Sequence, residues 1–189
     1  MESNAKAVKA SEKIETARLL LRRPKPSDAQ SVFHRYASDS EVTRYLSWPT
    51  HRSVADTLAF IAMSDDEWQR WPAGPYLVMT RENGANEEIV GSTGLFYKSA
   101  TRAVTGYVFA RDAWGQGYAT EALEAMVDVA RQTGVERLEA ICHAEHTTSA
   151  HVLEKCGFVR EEVRREHFVF PNLRPQKKSD VFSYARSFE

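Results

Sequence analysis

"RDAWGQGYATEALEAMVDVARQTG", residues 111–134, passes from a strand-like segment into a helix. From Tyr118 the apolar positions are 118, 119, 122, 123, 126, 127 and 130, a 3.6-residue period. Gly134 follows where a left-handed residue commonly closes a helix. Ahead of that helix, Gly115, Gly117 and Ala119 leave alternate positions nearly bare. The first amides of a helix lack intrahelical acceptors, and the helix dipole adds about half a positive charge there. Bare positions at such a turn let an anion reach those amides, so a phosphate group is expected on the backbone of Gly115–Thr120. The competing reading is that the glycines serve only a left-handed turn or tight packing against a sheet.

Two familiar phosphate loops fit poorly. A Walker loop needs Gly-Lys-Ser/Thr, which this stretch lacks. A dinucleotide fingerprint needs a third glycine where Thr120 stands. Glu136 and Glu139 do fall about 20 residues on, where that fingerprint places an acid. The order of elements argues otherwise, because the turn follows a meander of strands, whereas a dinucleotide loop follows the first strand of a βαβ array.

Outward from the turn, "RAVTGYVFA" (102–110), "PYLVMT" (75–80) and "EEIVGSTGLFY" (87–97) read as strands, the last two joined across "RENGAN" by an Asn-Gly turn. "RLLLRR" (18–23) is a short strand ended by Pro24. Ser27, with Gln30 reaching back, opens a helix through Ala37. A short helix is expected over Ser40–Leu46. Ser53 with Asp56 opens a longer one toward Trp68, with Leu58, Ile61 and Ala62 on one face. Downstream come a strand, "RLEAICH" (137–143), and a helix, "TTSAHVLEKCG" (147–157). "FVREEVRREHF" and "DVFSYARSF" then alternate like a closing antiparallel pair. This order predicts an α/β fold of the α+β mixed-sheet kind, mostly antiparallel, with helices on both faces. Residues 14–189 form a single domain after a polar, flexible tail over 1–13.

The bulk properties exclude several classes. A net charge of −1 creates no field favouring nucleic acid or anionic lipid. No apolar run approaches the ~20 residues of a membrane span, and the N-terminus has no apolar signal core. Cys142 and Cys156 lack a CxxC spacing, which suits a reducing, cytoplasmic setting. His143, Glu145, His146 and His151 do not have a zincin spacing, so no metal is expected.

"WGQGYATEAL" resembles the pyrophosphate loop of the GNAT N-acetyltransferases, in their RimJ/RimL-like branch. That family's pattern, [QR]-x-x-G-x-[GA], falls on Trp114, Gly115, Gln116, Gly117, Tyr118 and Ala119, with Trp114 departing from the usual first residue. "IETARLLLRRPKPSDA", "GYVFARDAWG" and "SAHVLEKCGF" resemble the branch's opening strand and helix, its central strand and a later helix end, in order. The likeness covers about residues 14–186. It implies a splayed sheet, the GNAT fold, holding acetyl-CoA in its opening as cosubstrate. Backbone groups of Tyr107–Ala110, with Val108 and Phe109 between, would face the pantetheine. Trp114–Thr120 would hold the pyrophosphate.

The implied reaction is attack of an amine on a thioester. It needs a neutral amine, a hydrogen bond to the carbonyl oxygen and a proton for the departing thiolate. The amides of Val108, Phe109 and Ala110 are candidates for the oxygen. The family's Asn-x-x-Ser segment reads His146-Thr147-Thr148-Ser149 here. Ser149 matches the serine that serves the coenzyme sulfur; the alternative is that it caps its helix. His146 replaces Asn, and is either a group titrating near neutrality or a solvated loop residue. The tyrosine acid of another branch would fall at Leu153. Glu162 and Glu166 are candidate bases only by their place near the closing strands, and no base is assigned. Tyr45 and Trp48 are the candidates for an acceptor pocket, whereas Trp68 and Trp71 are expected to pack helices onto the sheet. The acceptor is expected to be a small-molecule amine or a protein N-terminus, with a homodimer left open. A non-catalytic acyl-CoA-binding domain is the competing function.

Overall fold

The computed structural model describes residues 8–81 and 88–188. Its strands are β1 (Lys13–Glu15), β2 (Leu19–Arg22), β3 (Pro75–Thr80), β4 (Ile89–Ser99), β5 (Arg102–Phe109), β6 (Arg137–His143), β7 (Val159–Val169) and β8 (Lys178–Ser187). Helices α1 (Ala29–Val32), α2 (Val54–Arg70), α3 (Tyr118–Gln132) and α4 (Thr147–Lys155) surround them. The strands make one sheet in the order β1-β2-β3-β4-β5-β6-β8-β7. Every neighbouring pair is antiparallel except β5 and β6.

That parallel pair opens the sheet. β5 and β6 are in register only over Arg102–Val104 against Arg137–Glu139. Beyond it β5 stays with β4 as far as Phe109, and β6 stays with β8 as far as His143. The sheet therefore splays from a closed end at Arg102 and Arg137, and one edge of β5 from Thr105 onward has no strand beside it. Val90 is an extra residue in β4 opposite the Val78–Met79 step. Such a bulge increases local twist, and the Val90 carbonyl accepts from the Ala110 N–H at 2.8 Å.

β2 is buried on both sides because its residues divide between two apolar clusters. Leu19 and Leu21 pack with Tyr76, Val78 and the α3 residues Leu123 and Met126. Leu20 packs with Leu77, Met79, Val32 and Tyr36 on the other face. The α3 stripe is wider than its sequence period, since Ala125 and Val129 are buried as well. Gly134 and Gly157, at φ +81° and +75°, follow α3 and α4 in the left-handed region expected of them. Trp68 is fully buried with its indole N–H on the Pro75 carbonyl at 2.8 Å, and Trp71 stacks on Tyr97.

Several local expectations change. The first helical segment opens at Pro26 with Lys25 as N-cap, and Asp28 Oδ2 reaches back to the Lys25 amide at 2.7 Å while Arg22 grips both carboxylate oxygens; Ser27 is not its cap. It runs as a 3-10 turn, α1 and a π turn to Ala37. No helix forms over Ser40–Leu46, which is a series of turns. There the Asp39 carboxylate takes the Glu41 amide and the Thr43 hydroxyl takes the Asp39 carbonyl, in local competition with a helical ladder. α2 does open on the Ser53/Asp56 capping box, but its inward face is Thr57, Ile61, Ser64 and Trp68; Leu58 and Ala62 face outward. Of the tail expected over 1–13, Ala10 is buried with its N–H on the Pro72 carbonyl, and Lys13 opens β1. The Asn-Gly turn expected in "RENGAN" lies outside the described residues.

Candidate active site

The turn before α3 is built as the bare positions require. Gly115 and Gly117 have φ of +73° and +79°, where other residues are strained, and Gly117 is the N-cap of α3. A Cβ on Gly115 would meet nothing within 4 Å, and one on Gly117 would meet only the Arg18 guanidinium, at 3.3 Å. The glycines are therefore not there for packing against the sheet, whereas the left-handed turn of the competing reading is present at both. They leave an exposed cradle over the first-turn amides of Tyr118, Ala119 and Thr120, which suits a diphosphate.

Side chains distant in sequence brace this cradle. Arg18 donates to the Gln116 carbonyl at 2.8 Å and to Glu121 at 2.7 Å, and its guanidinium lies over the Tyr118 ring. Glu121 also accepts from the Arg18 amide and from the Thr16 hydroxyl. Gln116 Nε2 returns to the Asp112 carbonyl at 2.8 Å. Trp114 is half exposed, and its Nε1 donates to the Phe109 carbonyl at 2.8 Å, tying the turn to the end of β5. The Phe109 carbonyl and the Ala110 amide are thus both engaged within the protein. Since the Ala110 N–H points toward β4, alternation along the strand turns the Phe109 N–H toward the splay. Of the three amides considered for a carbonyl oxygen, Phe109 is the one so directed. Glu139 meets Arg102, Lys98 and Arg137 and is not a ribose acid.

A cavity of about 570 Å³ passes through the splay. It is lined by Tyr107, Cys142 and Ser149 on the α4 side, by Val108 and Trp48 on the other, and by His146 and Tyr45, whose rings meet between them. Four residues considered separately in the sequence therefore share one space. Ser149 does not cap its helix. The N-cap position of α4 belongs to His146, and Ser149 Oγ lies 2.9 Å from the Tyr107 hydroxyl. That hydroxyl is also 3.2 Å from the Ser149 carbonyl. Burial raises the Tyr107 pKa above the usual phenol value, so Tyr107 is a proton-bearing partner at neutral pH.

His146 stacks on Tyr45 with centroids 4.6 Å apart, and His143 packs on the same ring at 4.9 Å. Burial and then His143 lower the His146 pKa, so the ring is neutral near pH 7. His143 Nδ1 accepts from the Glu145 amide, which leaves its hydrogen on Nε2. Asn172, in the loop after β7, holds the roof: it donates to the Thr43 and Trp48 carbonyls at 2.7 and 2.9 Å and accepts from the Thr50 amide at 2.8 Å. Glu162 and Glu166 do not line the cavity. Among the described residues no group of three or more His, Cys, Asp or Glu is placed to hold a metal ion. Likewise, no helix among them is long and apolar enough to cross a membrane.

Tyr107, Arg18 and Asn172 were missed in the sequence. In sequence Tyr107 is one residue of a strand, with no signal for its hydroxyl. Arg18 and Asn172 find their partners 103 and 129 residues away, beyond any local pattern.

An open mixed sheet, a bare helix start and a cavity at the splay are the features of this chain that known proteins can be set beside. A family model for the Acetyltransferase (GNAT) domain matches residues 18–159. The uncharacterized N-acetyltransferase p20 of Bacillus licheniformis is 30% identical over 159 residues, covering 82% of this chain and 87% of its own length. A GNAT-family acetyltransferase from Bacillus anthracis superposes with a TM-score of 0.78 at 26% identity, covering 93% of this chain and 98% of that one. RimL, the ribosomal L7/L12 α-N-protein acetyltransferase in complex with coenzyme A, gives a TM-score of 0.80 at 22% identity over 94% and 98% of the two chains, a likeness of fold. The chain belongs to the GNAT family of acetyltransferases.

Proposed function

We propose that the protein transfers the acetyl group of acetyl-CoA to a primary amine, on a small molecule or at a protein N-terminus, in the cytoplasm. When bound, acetyl-CoA supplies a thioester carbonyl to the amine nitrogen. The single observation that carries this reading is the cavity that brings Ser149, Tyr107 and His146 together with the Tyr45–Trp48 roof. The amides of Tyr118, Ala119 and Thr120 hold the diphosphate, and the Phe109 N–H serves the thioester oxygen. Ser149 Oγ offers a hydrogen to the sulfur. A lone serine is a weak acid; the Tyr107 hydroxyl, 2.9 Å from Ser149 Oγ, holds that oxygen at the cavity, and its one hydrogen serves either Ser149 Oγ or the Ser149 carbonyl. His146, neutral, accepts the amine proton directly or through water. An α-amine, at pKa ~7.7, needs less help than a lysine amine at ~10.4.

The test is thiol release from acetyl-CoA with a panel of amines that includes polyamines, aminoglycosides and Ala- or Ser-initiated peptides. Turnover with at least one acceptor is expected. Ser149→Ala and Tyr107→Phe should each lower kcat by about 10- to 100-fold, with acetyl-CoA affinity retained. Tight coenzyme binding without turnover of any acceptor would establish a non-catalytic acyl-CoA-binding domain instead.

A further inference from the structure

The half of the cavity beyond the splay has a composition of its own. Phe96 and Ile141 form its sheet floor, Phe60 and Met63 come from α2, and Trp48 and Phe168 close it. Phe96, Met63 and Ile141 are 37%, 39% and 39% exposed, so large apolar side chains stand open inside a concavity. Exposed apolar surface gathered in one place marks a binding site rather than chance.

Charge is scarce there. Among the described lining residues there is no lysine or arginine, and Asp56 is the single carboxylate. Asp56 is already engaged at the start of α2. Its Oδ2 accepts from the Arg52 amide at 2.8 Å, the Ser53 amide at 3.0 Å and the Ser53 hydroxyl at 3.3 Å. His51 is turned to the Thr57 hydroxyl at 2.8 Å. An acceptor with several ammonium groups would have to desolvate at least one in a lining whose single carboxylate, Asp56, stands at the exposed start of α2, which is costly. A lone amine fares differently. Apolar surroundings disfavour its charged form, and so yield the neutral nucleophile that the reaction needs. The Trp48 ring can steady its residual cationic form, while the Tyr45 ring is already met by His146, His143 and the Arg44 guanidinium.

We infer, resting on the acetyl transfer proposed above, that the acceptor is a primary monoamine carrying an apolar or aromatic group and no second positive charge. A free arylalkylamine and a polypeptide with an apolar first residue both present this chemistry.

The test compares 2-phenylethylamine with spermidine, and a Phe-initiated with a Lys-initiated tetrapeptide otherwise uncharged in its side chains. Thiol release gives kcat/KM, and calorimetry gives amine binding to the protein–coenzyme A complex. The apolar member of each pair is expected to exceed the cationic one at least 10-fold in both readouts. Whichever of 2-phenylethylamine and the Phe-initiated peptide is better identifies the source of the apolar group, and either supports the inference. Phe60→Glu, on the half-buried outer wall, adds a carboxylate and should shrink the preference for 2-phenylethylamine at least 10-fold while acetyl-CoA affinity is kept. Equal or better use of spermidine would overturn the inference. So would failure of both small amines to bind the complex, or an unmoved preference in a folded Phe60→Glu protein. Each of these leaves coenzyme binding intact, whereas failure of the wild-type protein to bind acetyl-CoA would remove the transferase reading itself.

Discussion

His146 gains its chemistry from its neighbours. The imidazole stacks on Tyr45 beside His143 and lines the cavity that also holds Ser149. Burial and then the second histidine lower its pKa from the ordinary 6.5. Between the lowered value and 6.5 the unfolded chain binds the proton and the folded one does not. This residue therefore makes the fold less stable as pH falls through 6.5, while remaining neutral and able to accept a proton. The expected consequence is an acid limb in kcat/KM centred below pH 6.5. His146→Asn, which restores the residue usual at this position in the family, should remove that limb and slow turnover about 10-fold. An unchanged limb in the variant would assign it to another group. Ser149 and Tyr107 show the same dependence on position: neither hydroxyl is unusual alone, and their 2.9 Å separation gives the pair its use.

At the scale of elements, the splay depends on what closes it. At the shut end, Glu139 of β6 meets Arg102 of β5, Lys98 of β4 and Arg137 of its own strand at 2.7–3.3 Å. Burial alone would raise the Glu139 carboxyl, but hydrogen bonds from Arg102 and Lys98 outweigh that and lower it to about 2. A depressed carboxylate contributes stability above its unfolded pKa, and that contribution is lost as pH falls from about 5 toward 2. Glu139→Gln should therefore cost about 1–2 kcal/mol at pH 7, allowing for solvent screening, and flatten the loss of stability between pH 5 and 2. Denaturant melts of both proteins across that range measure it. Parallel stability curves for wild type and variant would show that the cluster does not hold the strands together. The roof follows a different logic. Asp39 and Thr43 bond their own backbone, so the segment forms turns, and Asn172 fixes those turns from the far side of the molecule.

Across the whole molecule, the parts written locally in the chain were legible. The α3 period, the glycine pair ahead of it, the helix end at Gly157 and the closing strands all depend on residues a few positions apart. β1 was not legible, because three residues in a polar stretch carry no period and become a strand only through β2. The α2 face is not legible in sequence, because Thr57 and Ser64 are buried where Leu58 and Ala62 fit the hydrophobic pattern better. In the site, the bare turn and the Ser149 position could be seen in sequence. The Arg18–Glu121 brace, the Tyr107 hydroxyl and the Asn172 clamp could not, since each joins segments that only the sheet brings together. What would unify these parts is the proposed anion site on the backbone amides at the start of α3. Backbone amide chemical shifts recorded during titration with coenzyme A test that most directly. The largest changes are expected at Tyr118, Ala119 and Thr120, with pantetheine, which lacks the diphosphate, leaving them unmoved. Saturable coenzyme binding with those three amides silent would contradict the account.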